Sequence, residues 1–63
     1  MKPVISVRKH RKRIGYSQYE LAKKIGVTRA AVQMWELNRC YPGLPTLVKL
    51  LKILGITLDE LLH

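Results

Sequence analysis

Gly26 stands between two short runs that each carry the apolar period of a helix. That arrangement restricts the middle of the chain to helix, tight turn and helix. The first run, SQYELAKKI, opens with Ser17 and has Glu20 three residues later. In that spacing each side chain accepts a hydrogen bond from the other's unpaired backbone N–H, the reciprocal cap that starts a helix. Leu21, Ala22 and Ile25 give the run an apolar face, and Gly26 supplies the left-handed backbone favoured just past a helix end. Val27 fills the turn. Thr28 can cap the second run, RAAVQMWE, in which Ala31, Val32 and Trp35 form the inward stripe. Its opposite face carries Arg29, Ala30, Gln33 and Met34.

Two helices joined by so short a turn make a helix-turn-helix at residues 17–37. In that motif the second helix offers its outer face to a DNA major groove. Residues 4–14 read as an earlier helix, with Val4, Val7, Arg11 and Ile14 on one stripe. Residues 1–7 can alternatively open in an extended form. An arginine on an apolar stripe needs a partner, because burying its charge alone is costly. The sequence holds only four acidic residues, so the choice of partner is narrow. Arg8, Lys9, His10, Lys12 and Arg13 make up the rest of this helix and read as a solvated face. A nuclear-localisation or membrane-directed basic signal matches the same run only as a pattern.

After Gly15, Tyr16 is placed to pack on Leu21 as a hydrophobic staple. Asn38 reads as a left-handed cap after a helix over 29–37, and RCYPG at 39–43 reads as a loop. Pro45 sits early in a helix that runs to Leu54. Leu47, Leu50, Leu51 and Leu54 form its inner face, Lys49 and Lys52 its outer one. Gly55 closes it. Thr57 and Glu60 repeat the reciprocal cap for a last helix over 58–62. No run alternates with period two, so the expected fold is all-α, one domain over 1–63.

At 63 residues a large catalytic cleft is not expected. The net charge of +8 predicts attraction to polyanions, nucleic acid first and an anionic membrane surface second. Cys40 is the only cysteine, which excludes an intramolecular disulfide and a thiolate metal site. A redox role for it would need a lowered thiol pKa, for which neighbouring Arg39 is only a hint. His10 has no cysteine or carboxylate at metal-ligand spacing, so no metal, cofactor or small-molecule ligand is expected. Asp59 and Glu60 are adjacent rather than facing, and no nucleophile–base set occurs, so no catalytic residue is assigned. Residues 1–5 carry no apolar signal core, and the apolar stretch 44–58 is interrupted by Lys49, Lys52 and Gly55. A soluble cytoplasmic domain is the expectation.

In order and spacing the sequence resembles the Cro/CI-type (XRE-like) helix-turn-helix family, found in phage repressors and many small bacterial regulators. The residues that carry the resemblance are Arg11, Gly15, Ser17-Gln18, Leu21-Ala22, Gly26-Val27-Thr28, Trp35-Glu36, Pro42, Leu47 with Leu50, and Asp59-Glu60-Leu61-Leu62. Asn38 departs from the family's usual glycine, and Cys40 and His10 from its common residues. The resemblance implies a compact five-helix lambda-repressor-like DNA-binding domain. It implies that Arg11 pairs with Glu36. It also implies phosphate contacts from Gln18, Thr28, Arg39, Tyr41 and Arg11, with Gln18 bracing the reading helix. Base contacts then fall to Arg29, Ala30, Gln33 and Met34. Arg29 suits guanine, Gln33 suits adenine, and Ala30 and Met34 suit thymine methyl groups. Trp35 is assigned to the core. The implied function is a sequence-specific double-stranded DNA-binding transcriptional regulator, a repressor acting as a homodimer on a palindromic operator. Leu44, Ile56, Leu58, Leu61 and Leu62 are candidates for the dimer contact. The alternative is a protein-interaction module, such as an antitoxin or a regulator titrated by a partner protein.

Overall fold

Every helix begins and ends where a particular backbone group finds a partner. The computed structural model describes residues 4–63. Five helices follow one another: α1 (Val7–Arg13), α2 (Gln18–Ile25), α3 (Arg29–Glu36), α4 (Leu44–Leu54) and α5 (Leu58–Leu61). No strand occurs among the described residues. The fold is the expected all-α, five-helix one; of the alternative extended start over residues 1–7, residues 1–3 lie outside the described residues and residues 4–6 are non-helical.

The caps are those the sequence predicts. Ser17 Oγ accepts from the Glu20 N–H at 3.0 Å, and Glu20 Oε1 accepts from the Ser17 N–H at 2.9 Å. Thr57 and Glu60 repeat the exchange at 3.2 and 3.0 Å at the start of α5. Thr28 Oγ1 accepts from the Ala31 N–H at 3.2 Å, which caps α3. Gly26 takes φ +89°, and its N–H and that of Val27 both donate to the Ala22 carbonyl. The end of α3 is closed differently. The Asn38 N–H donates to the Trp35 carbonyl and the Arg39 N–H to the Met34 carbonyl, a pair of bonds that needs a left-handed residue at Asn38. Asn38 indeed has φ +57°, the only non-glycine residue with positive φ among those described.

Ile5, Val7, Leu21, Ala22, Ile25, Val32, Trp35, Leu50, Leu54, Ile56 and Leu61 form one buried cluster. α2 packs on α3 and α4, and α1 packs on α3. Tyr16 lies against this core, as the staple expectation requires. Fully buried leucines such as Leu21 and Leu50 each contribute roughly 1.5–3 kcal/mol of transfer free energy.

Helix α1 is shorter than expected. It starts at Val7 rather than Val4, and the stripe that faces inward is Val7, His10 and Arg11. Val4 is 64% exposed and Ile14 38% exposed, whereas Ile5 is buried. The reason is that the chain arrives non-helical at Ser6, whose N–H donates to the Leu61 carbonyl at 2.7 Å. That long-range bond keeps residues 4–6 out of the helix, so Val4 leaves the inward stripe while Val7 and Arg11 remain on it. α1 then ties itself to α5 by two side chains. His10 Nε2 donates to the Glu60 carbonyl at 3.1 Å, and Lys9 Nζ to the His63 carbonyl at 2.8 Å. His10 is accordingly buried rather than on the surface. The structure also buries Ile56 and Leu61, two residues proposed for a dimer contact, leaving Leu44, Leu58 and Leu62 exposed. α3 ends at Glu36 and α5 at Leu61, one residue short of each expectation, with Leu37 and Leu62 as caps.

Asn38 supplies a test. Its positive φ favours glycine, but its Oδ1 accepts from the Ile5 N–H at 2.9 Å and so anchors the segment leading into α1. Asn38→Gly relieves the backbone and removes that bond, worth about 1 kcal/mol net. Urea denaturation is expected to show the variant no more stable than the parent. A clear gain in midpoint would mean that the Asn38–Ile5 bond contributes nothing.

Candidate nucleic-acid interface

The candidate interface is built on the free face of α3. The inward residues Val32 and Trp35 are buried, as expected, and Ala31 is half-buried. Arg29, Ala30, Gln33 and Met34 are all exposed on the opposite side. Helical spacing sorts these four into two rows. Arg29 and Gln33 are four apart and make a polar row; Ala30 and Met34 make an apolar one. The first turn of α3 carries no acidic residue, so nothing there offsets the positive end of the helix dipole.

What holds α3 at its angle is a chain of polar side chains. Arg11 is buried on the inner stripe of α1 and donates from Nε to Glu36 Oε2 at 2.5 Å, and more distantly from a second nitrogen to Oε1 at 3.3 Å. Its remaining terminal nitrogen donates to the Tyr16 carbonyl at 2.8 Å. One guanidinium therefore joins α1, the entry to α2 and the last residue of α3. Gln18, the first residue of α2, donates from Nε2 to Glu36 Oε1 at 3.0 Å. Its Oε1 accepts from Arg29 Nε at 3.5 Å, the long end of the hydrogen-bond range. The bracing expected of Gln18 is thus present, and the amide also links both ends of α3. Burial raises the Glu36 carboxyl pKa. Hydrogen bonds from Arg11 and Gln18, with the charges of Arg11 and Arg8, outweigh it and hold the group below its ordinary range.

The phosphate positions are less uniform. Thr28 and Arg39 are exposed at either end of α3. Tyr41 is half-buried against the core and lines an apolar groove of about 170 Å³ with Ile5, Pro42, Leu47, Leu58, Leu61 and Leu62. Arg11 is engaged on three sides by Glu36 and Tyr16, with only about a tenth of its side chain exposed, and its evident work is structural. One residue absent from the expected site comes to it. Arg8 lines a cleft of about 300 Å³ with Arg11, Gln18, Gln33, Glu36 and Leu37. Arg8 precedes Arg11 by three and so shares its side of α1, but its approach to Gln18 and Gln33 depends on how α1 crosses α3. Among the described residues no cluster of three or more His, Cys, Asp or Glu could hold a metal ion, and no helix is long and apolar enough to cross a membrane.

A capped helix pair with a fixed, exposed second helix defines a helix-turn-helix domain. The helix-turn-helix family model matches residues 7–61, and the chain belongs to that family, the Cro/CI-type (XRE-like) group of DNA-binding transcriptional regulators. It is similar to the SPbeta prophage-derived HTH-type transcriptional regulator YonR of Bacillus subtilis, with 44% identity over 48 residues, 76% of this chain and 44% of YonR. An HTH-type transcriptional regulator of Methanothermobacter thermautotrophicus is 39% identical over 49 residues, 78% of this chain and 71% of that protein. The chain thus spans under half of YonR but most of the archaeal relative. Among solved structures, the biofilm master regulator SinR in complex with DNA superposes with a TM-score of 0.79 at 33% identity, covering 90% of this chain and 92% of that one. A transcription factor, NHTF from Neisseria, gives 0.78 at 34% identity, covering 89% and 63%.

The Arg11–Glu36 pair yields two predictions. Arg11→Met leaves a largely buried carboxylate without its cation and should destabilise by roughly 3 kcal/mol or more, whereas Arg11→Met with Glu36→Leu should be much milder. Additive losses in thermal unfolding would show that the pair is not coupled. The second concerns acid. Because the folded-state pKa of Glu36 is lowered, its contribution is complete above the unfolded-state value and is lost as pH falls through the lower folded one. A melting-temperature profile from pH 7 to 2 should therefore fall less steeply for Glu36→Gln than for the parent. Both should retain a residual slope from Glu20 and Glu60, whose carboxyls are lowered chiefly by backbone hydrogen bonds at Ser17 and Thr57. Parallel profiles would exclude Glu36 as a source of acid sensitivity.

Proposed function

We propose that the chain reads double-stranded DNA sequence-specifically to regulate transcription, as a repressor bound as a homodimer to a two-fold operator. The observation that carries this reading is the exposed outer face of α3, clamped at both ends by the Arg11–Glu36–Gln18–Arg29 chain. A helix held this way keeps its orientation when it enters a groove, so its outer residues meet base edges without first having to be ordered. The likeness to SinR, solved in complex with DNA, supports the same use of the fold.

In this reading Arg29 makes a bidentate contact with guanine and Gln33 with adenine, while Ala30 and Met34 cover thymine methyl groups. Gln18, Thr28 and Arg39 fix the register on phosphates, and Tyr41 joins them only through its hydroxyl end. Arg11 serves as the positioning residue behind them. The net charge of +8 supplies long-range attraction and predicts binding that weakens steeply with salt. The protein works where prokaryotic DNA lies, in the cytoplasm, and is not an enzyme.

The size of the domain suits a dimer on such an operator. Reading helices on a two-fold operator lie about 34 Å apart. The domain has Cα extents of 29 × 21 × 20 Å, so two copies at that spacing stand side by side. Leu58 and Leu62, exposed on the groove that Tyr41 lines, and the exposed Leu44 offer apolar surface for the contact.

Selection of bound duplexes from random DNA tests the reading. An enriched inverted repeat is expected, with Arg29→Ala weakening binding by about 1–3 kcal/mol and relaxing one position in each half-site. No enrichment at low salt would sink the proposal and favour the protein-interaction module.

A further inference from the structure

The outer side of α3 carries an apolar period that the core does not use. Val32 and Trp35 already fill the inward stripe. Leu37 follows the helix as its C-cap, yet it keeps helical backbone at φ −84° and ψ −2°, and its N–H donates to the Gln33 carbonyl at 3.0 Å. It therefore occupies the next helical position. Leu37 stands seven residues after Ala30, an interval over which a straight helix drifts by only about 20°. Met34 falls between them, four after Ala30 and three before Leu37. Ala30, Met34 and Leu37 thus form one outward ridge, with Leu37 57% exposed and Met34 38% exposed. Single exposed leucines are ordinary on a protein surface. A second apolar stripe on a helix of eight residues is not, because a helix apolar on both sides is one that is covered on both.

What flanks the ridge indicates what covers it. Arg29 and Gln33 run along one side, and the exposed Arg39 lies just past its end. Glu36, the one carboxylate of α3, is neutralised by Arg11. With a net charge of +8, the complementary surface is a polyanion. A polyanion with apolar groups on its accessible edges is duplex DNA, whose major groove displays the C5-methyl group of thymine. The chemistry of the ridge adds a condition. Alanine and leucine side chains have no hydrogen-bonding group, and methionine has only a weak acceptor. Such a surface gains by covering a methyl group and does not sense the exocyclic group beside it. Thymine presents O4 at that place and cytosine an amino group. The methyl of 5-methylcytosine stands on the same ring carbon as that of thymine.

We infer that the Ala30–Met34–Leu37 ridge reads the pyrimidine C5-methyl group as such, so that the protein senses cytosine C5 methylation within its DNA site, with Leu37 as a specificity-determining residue. The inference rests on the DNA-binding reading and deepens it. A 5-methylcytosine·guanine pair substitutes for thymine·adenine beneath the ridge, and an unmethylated cytosine·guanine pair does not. The ridge is about 10 Å long, roughly three base-pair steps. Gln33 bounds the tolerance: where its amide pairs with adenine, guanine is not an equivalent partner.

Methyl scanning tests it. Each thymine of the selected duplex is replaced in turn by deoxyuridine, which lacks only the methyl group. Affinity is measured for the parent, Met34→Ala, Leu37→Ala and Leu37→Met. At positions beneath the ridge the parent is expected to lose about fourfold in affinity per methyl removed. That loss should vanish at one position in Leu37→Ala and at another in Met34→Ala. It should persist in Leu37→Met, whose side chain is apolar and of similar reach. At the position assigned to Leu37, thymine·adenine is then replaced by cytosine·guanine with and without the 5-methyl group. The parent should bind the methylated pair about fourfold more tightly, and Leu37→Ala should bind the two equally. Met34 and Leu37 lie outside the buried cluster, so both alanine variants should keep the parent's melting temperature, and a lost methyl effect is then not a lost fold. Deoxyuridine losses that are absent from the parent or unchanged in both alanine variants, or equal affinity of the parent for the two cytosine pairs, overturn the inference while leaving DNA binding intact. A parent that selects no duplex overturns the underlying reading and the inference with it, and assigns the ridge to a protein partner.

Discussion

The pairing of Arg11 with Glu36 is the constraint on which the rest of the domain depends. A guanidinium on the inner stripe of α1 would be untenable alone, and so would a carboxylate at the inner end of α3. Together they cancel, and the geometry they demand joins elements that otherwise share little contact. Arg11 also holds the Tyr16 carbonyl, so the same side chain sets where the chain turns into α2. Gln18 then carries the arrangement from Glu36 back to Arg29 at the start of α3. The consequence is that α3 is restrained at its first and last residues, while its middle is packed by Val32 and Trp35 with Ala31 beside them. A small domain cannot hold a helix by area alone, because it buries too little surface. A polar clamp on a short helix fixes its direction with few residues.

Most helix boundaries were legible because they are written in local chemistry. Ser17 with Glu20, Thr57 with Glu60, Thr28, Gly26, Asn38 and Gly55 all work through bonds to residues within five positions. The parts that were not legible are those where a distant backbone group decides. Nothing near Val4 announces that the Ser6 N–H will pair with the Leu61 carbonyl, yet that bond sets where α1 starts. His10 is buried because the Glu60 carbonyl accepts from it, and a carbonyl leaves no mark in the side-chain sequence. The second duty of Asn38 was hidden for the same reason. Its left-handed backbone follows from its type and place, but its hold on the Ile5 N–H does not.

The interface shows the same division. Helical phase separated the outer residues of α3 from Val32 and Trp35, and the resemblance supplied the partner of Arg11. The sequence offers Arg8 only as one of several charges adding long-range attraction, since a charge repeated at most positions of a helix has no distinguishing period. Its nearness to Gln18 and Gln33 depends on how α1 crosses α3, which no local pattern encodes. Tyr41 marks the same limit from the other direction. Its loop is polar in character, but the ring turns into the groove beside Leu47 and Leu58.

One feature of α3 bears on how such a protein changes over time. The side chains at Arg29, Ala30 and Gln33 are exposed and lie outside the buried cluster, and Met34 is only partly covered. Replacing them removes little packing, and only Arg29 reaches into the polar clamp, through its longest bond. Mutational drift at these positions is therefore nearly free of a folding penalty. A lineage can exchange the outward letters of α3 one at a time, passing through intermediates that all remain folded. If these residues read bases as proposed, new recognition arises here by substitution alone, without a compensating change in the core.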